Sequence, residues 1–188
     1  AGYLNIINQY RLGRTELWDF YGTWGYWRVN SGFLWPISLL FRLFGFHPIL
    51  GQTLSALAGA TAAVAVSSLV RRHASTASAL AAGLAVALFP SQILWSSLVL
   101  KDAYSWMALA LIAVVHGWWS KQVSGGRFFQ GLLLLTGLSY FLVHLRVHTF
   151  VVASIAGVGT VLLTAGTRRT MRAVSILLLL LILPTTAG

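Results

Sequence analysis

Residues 48–70, PILGQTLSALAGATAAVAVSSLV, run for 23 positions without a charged side chain and stop at Arg71-Arg72-His73. As a helix this stretch is about 34 Å long, against a bilayer hydrocarbon core of roughly 30 Å. Small-residue pairs such as Gly59 and Ala63 favour close approach of a neighbouring helix. This run sets the expectation for the rest of the chain: an all-α, polytopic membrane helix bundle.

Working outward, similar runs recur. Ala74 to Leu100 is uncharged but too long for one straight span, and it contains Phe89-Pro90-Ser91. Proline lacks the backbone donor that a helix interior uses, so the second span is placed at 76–93, with a short membrane-surface loop from Trp95 to Lys101. The next spans fall near 103–119, 128–145, 147–166 and 173–188, six in all. No repeat of solenoid type appears among them. Residues 1–47 form a separate outer-face loop with four of the eight tryptophans and two of the three acids. Within it, Phe33 to Phe46 reads as an amphipathic interfacial helix, with Ser38 and Arg42 on its polar face.

Composition agrees. Of 188 residues, 57% are apolar and 9% charged, where a soluble domain carries about a quarter charged residues. That excludes most soluble enzymes and disordered segments. With no cysteine there is no disulfide framework, thiolate metal site or cysteine nucleophile. The net charge of +10 comes from thirteen Lys and Arg against Glu16, Asp19 and Asp102. The basic residues sit between apolar runs, so lipid headgroups explain them better than nucleic acid. Arg71, Arg72, Lys121, Arg127, Arg168, Arg169 and Arg172 share one side of the six-span arrangement. In the short loops opposite stand Lys101 and Arg146, so the first group is assigned to the cytoplasm. Arg11, Arg14, Arg28 and Arg42, all before the first span, fall outside and run against that bias.

The polar residues that remain gather on the outer face. Asp102 precedes Ala103-Tyr104-Ser105-Trp106, where it serves either as a helix cap or in catalysis or substrate binding. Lys101 snorkels at the boundary. Arg146 stands in a tight turn, where it meets lipid headgroups in general or grips one phosphate with its planar fork. His144 and His148, four apart, would share a face of a continuous helix, a spacing that can hold a metal. His116, His144 and His148 are also the residues able to ligate a haem or pigment, against the plainer reading of boundary histidines bonded to water or backbone. Glu16 and Asp19 lie among Tyr21, Trp24, Tyr26 and Trp27. Carboxylates beside aromatic rings suit a sugar, whose hydroxyls and apolar faces they match; an aromatic belt at the interface has the same composition. No nucleophile elbow, phosphate-cradling glycine loop or zinc motif occurs.

One set of short pieces falls in a familiar order. Gly32-Phe33-Leu34-Trp35 leads to Leu43-Phe44-Gly45-Phe46-His47-Pro48, then Gln52-Thr53-Leu54-Ser55 and Arg71-Arg72. Leu88-Phe89-Pro90-Ser91, Trp95-Ser96-Ser97, Leu100-Lys101-Asp102-Ala103 and Leu145-Arg146 follow. Over residues 30–150 the chain resembles bacterial multi-span glycosyltransferases of the GT-C type, relatives of the protein O-mannosyltransferases. The resemblance implies sugar transfer from a polyprenyl-phosphate donor on the outer face of the bacterial cytoplasmic (inner) membrane. It also implies an acid in the first outer loop, acting as base or holding a divalent metal. Glu16 and Asp19 are the nearest acids in this chain, and a longer parent would carry that loop before Ala1. Donor phosphate would fall to Arg146, Lys101 and His148; substrate to Asp102, Trp24 and Trp27. Where relatives often read Leu-Arg-Pro-Tyr, this chain has Leu145-Arg146-Val147-His148. Two other classes fit the composition: a non-catalytic subunit of a larger membrane assembly, contacting pigment or lipid and other membrane subunits, and a transporter, for which paired broken helices would be expected.

Overall fold

A computed structural model describes residues 23–119 and 125–163. These residues are entirely helical outside their turns, so the fold is all-α. The helices are α1 (Thr23–Phe44), α2 (Pro48–Val70), α3 (Thr76–Ala87), α4 (Pro90–Ser97), α5 (Lys101–Trp119), α6 (Gly125–Val143) and α7 (Val147–Leu163). The sixth expected span, 173–188, lies outside the described residues.

Among the described residues one helix, α2, has both the length and the apolar composition to cross a membrane. Its packing inverts the soluble pattern. The buried side is Gly51, Ser55, Ala58, Gly59, Ala62, Ala63 and Ala65, whereas Leu57 and Val64 point outward, Val64 with 68% of its surface exposed. Leu80 and Leu84 on α3, Leu133 on α6 and Ile155 on α7 are likewise exposed. Small residues let backbones approach closely, which is how helices associate when the surrounding solvent is itself apolar.

The stretch read as one span, 76–93, is two helices. α3 begins at Ser75, whose hydroxyl accepts from the Ser78 amide, and ends at Ala87. Leu88 and Phe89 then turn the chain, and Pro90 starts α4. Proline therefore opens a helix here instead of closing one: at the first helical position its missing donor has no partner to lose and its fixed φ is already helical. Twelve residues of α3 span about 18 Å, too short to cross a bilayer alone. The surface loop placed at Trp95–Lys101 is shortened accordingly, because α4 continues to Ser97.

α1 also departs from expectation. It starts ten residues before Phe33 and belongs to the core: Phe33, Leu34, Ile37 and Phe41 are fully buried against Ala58 of α2, Ala103 and Tyr104 of α5, and Leu145. Ser38, assigned to a polar face with Arg42, is buried, while Leu43 and Phe44 are exposed. Gly45 ends the helix with φ of 85°, a left-handed conformation that favours glycine. A second core joins Ala108 and Val115 of α5 to Leu135, Leu142 and Val143 of α6 and Phe150 of α7. α5 is thus common to both cores, and its first turn stands beside the α6–α7 connection.

Candidate functional site

The site is built by that connection. α6 stops at Val143, and the amides of Leu145 and Arg146 both donate to the Leu142 carbonyl, at 3.1 and 2.8 Å. The Arg146 carbonyl in turn accepts from the Phe150 amide at 3.2 Å, the first hydrogen bond of α7. Backbone bonds on both sides therefore hold Arg146 in place. Leu145 is buried in the α1 core, which leaves its neighbour Arg146 directed along the bundle end.

There Arg146 meets Asp102. The Nη2 group donates to Oδ1 across 44 residues of sequence, forming an ion pair whose side chains are 32% and 20% exposed. Asp102 lies in the first turn of α5, where the helix dipole favours a carboxylate. The alternatives of cap and substrate ligand are thus joined by a third role that the linear pattern did not bring out. A hint was present: Asp102 and Arg146 were assigned to the same membrane face, in neighbouring short loops. Among the described residues the buried Arg146 Nε has no hydrogen-bond partner. The guanidinium thus retains a donor beyond its ion pair.

Around this pair stand the other predicted residues. Lys101 precedes Asp102 as the first residue of α5 and is half-buried. His148 is exposed in the first turn of α7. The His144 Nδ1 lies 2.9 Å from the Tyr140 carbonyl, and its ring sits 4.2 Å from that of Tyr140. Because α6 ends at Val143 and α7 starts at Val147, His144 and His148 do not share one continuous helix, and the i,i+4 metal spacing is lost. Among the described residues no three His or acidic side chains converge on a point. His116 lies at the far end of α5.

α1 passes close to this end. A Cβ placed on Gly32 would lie 3.3 Å from the Phe141 carbonyl and 3.4 Å from His144 Cβ, so α1 and the end of α6 are near touching. Phe33 packs edge-on to Tyr104 at 5.5 Å. Trp24 and Trp27 fall on the backbone of α1, and their side chains lie outside the described residues, as do Glu16 and Asp19 altogether. Asp102 is accordingly the one carboxylate side chain among the described residues. No family model matches this chain, and no curated protein or solved structure is significantly similar to it.

Proposed function

We propose that the chain is a multi-span membrane protein that holds the phosphate of a lipid-linked sugar at the Arg146 end of its bundle, as a polyprenyl-phosphate-dependent glycosyltransferase would. The observation that carries this reading is the state of Arg146. It is fixed by its backbone at a helix–helix turn, its side chain is 32% exposed, and it is neutralised on one side by Asp102, with Nε buried beneath. A guanidinium offers five donors, and one carboxylate oxygen takes only a fraction of them. A phosphate oxygen is the natural acceptor for the donors on the exposed part of the group, since arginine binds phosphate through parallel N–H groups. Lys101, adjacent in sequence to Asp102, adds a second positive charge. The inverted packing of α2 and the exposed leucines of α3 and α6 support placement in a bilayer.

The second reading, a non-catalytic subunit, is favoured by Asp102 itself. The described carboxylate is committed to Arg146, so within residues 1–188 the acids left to act as a base for transfer are Glu16 and Asp19. A transfer assay separates the two. With a radiolabelled polyprenyl-phosphate sugar and full-length chain in membranes, transfer that falls at least roughly tenfold in Asp19→Asn or Glu16→Gln supports the enzyme, given about 1.5–3 kcal/mol for a charged hydrogen bond. Donor binding without any transfer supports the subunit.

A further inference from the structure

The break between α3 and α4 leaves a cavity. Its volume is about 530 Å³, and it is lined by Ala62 and Val66 of α2, Ala85 and Val86 of α3, Phe89 before α4, Ser91 and Gln92 of α4, and Trp106, Leu109 and Ala110 of α5. Pockets for small organic ligands span roughly 300–1,000 Å³. The lining is largely apolar, with two polar residues, Ser91 and Gln92. Gln92 is 7% exposed, and among the described residues its buried side-chain nitrogen has no hydrogen-bond partner. An amide kept from water without a partner is costly. Phe89 and Trp106, both exposed, flank the cavity where it meets the surface.

We propose that this cavity binds an acyl chain of a glycerolipid, with the ester carbonyl accepting from the Gln92 amide. The occupant has to be a long apolar body carrying one weak acceptor near one end. Depth selects the ester. Trp106 is five residues along α5 from Lys101, about 7.5 Å. With Lys101 at the headgroup level, the Trp106 wall of the cavity starts at the level of the glycerol ester, since the interfacial region is about 5–7 Å thick on each side of the hydrocarbon, while Ala62 and Val66 carry the cavity deeper, where the acyl chain lies. The terminal amide torsion of glutamine is broad and two-fold, so the donor turns to the carbonyl without moving α4. This inference rests on the bilayer placement above and not on sugar transfer.

The test compares ester and ether lipids on the full-length chain in nanodiscs. Two phosphatidylglycerol probes carry the same diazirine on the same chain, one ester-linked and one ether-linked, and labelled residues are mapped by mass spectrometry. The ester probe should label Phe89, Trp106 and Leu109, and the ether probe should do so roughly two- to tenfold less, the worth of one net hydrogen bond. In Gln92→Leu the two probes should label equally, at the ether level. Ala110→Phe, which fills the cavity, should remove both signals there. Equal labelling of wild type by ester and ether probes overturns the proposal without needing any variant to fold. So does displacement of the ester probe by a polyprenyl phosphate, which has no carbonyl. Leu133 and Ile155 serve as reporters of bilayer contact. Labelling there with none at Phe89 or Trp106 sinks the cavity inference alone, whereas no labelling at any of these positions sinks the membrane reading with it.

Discussion

Asp102 and Arg146, 44 residues apart, form an ion pair that ties the first turn of α5 to the turn between α6 and α7. Each charge makes the other tolerable at a partly buried position, because removing one partner leaves the second poorly solvated. In detergent, Asp102→Asn and Arg146→Gln should each lower thermal stability. The double variant should lose less than the sum of the two, with a coupling of about 0.5–3 kcal/mol. Additive losses in thermal unfolding would show that the pair contributes nothing jointly.

Lipid-phosphate binding depends on the fork of Arg146 and not only on its charge. Arg146→Lys keeps the charge but replaces a planar, multi-donor group by a single ammonium. Affinity for a polyprenyl phosphate, measured by thermophoresis on folded protein, should fall in Arg146→Lys and fall further in Arg146→Ala. Arg168→Ala, assigned to the cytoplasmic side, should leave it unchanged. A headgroup anchor of general kind would tolerate lysine, and equal binding in all four proteins would remove Arg146 from the site.

Leu133 lies near the middle of α6 and is 77% exposed. If its surroundings are lipid, Leu133→Lys carries a cost of about 2.5–3.5 kcal/mol on insertion scales. The variant should then insert poorly, as read by glycosylation or alkali extraction. In an aqueous setting the same change at an exposed site would be neutral or would raise solubility.

α2 and α3 cross at Gly83. A Cβ there would sit 2.9 Å from Ser67 Cβ and 3.4 Å from the Ala63 carbonyl, so the helices would have to separate. Gly83→Ala should cost about 1–3 kcal/mol, the usual range for overpacking. Pairing it with Ser67→Gly restores the room and should recover most of the loss. Failure of that rescue would place the cost of Gly83→Ala elsewhere.

The chain has no cysteine, so single-cysteine labelling reports orientation directly. Ala74 and Ser97 are both exposed, at opposite ends of the α3–α4 pair. The basic-residue bias puts Ala74 in the cytoplasm and Ser97 outside. In intact cells an impermeant thiol reagent should therefore modify Ser97→Cys and spare Ala74→Cys. Ala74 is chosen over its neighbour because Ser75 caps α3, and losing that cap would itself cost about 1 kcal/mol. The opposite labelling pattern inverts the topology.

Much of the helical pattern was legible from hydropathy and punctuation alone. Pro48 opens α2 and the charges at 71–72 follow its end, both signals local to the chain. Pro90 was recognised as a break but given the wrong direction, since a proline that stops one helix also suits the first turn of the next. The interior role of α1 was not legible. Phe33, Ile37 and Phe41 make the same apolar stripe whether they face lipid headgroups or a protein core. Only the approach of Gly32 to Phe141 and His144, and the seating of Leu145 between α1 and α5, separates the two.

By itself the sequence determined that the described residues are all-helical, apolar enough in at least one helix to cross a membrane, with Asp102 and the turn residue Arg146 set at helix ends. Those are local properties: hydropathy, a missing amide hydrogen and a charge each act within a turn or two. What only the tertiary structure decided is which of those residues meet. The Asp102–Arg146 pair, the split of His144 from His148, and the unpartnered Gln92 amide beside an apolar cavity all depend on how helices are rotated and crossed. One residue of register turns a side chain by about 100° around its helix. That is enough to send Asp102 toward lipid or Gln92 toward solvent, and it is set by close packing at small buried residues such as Ala58 and Ala103 and at Gly83, where a single added methyl group would force the helices apart.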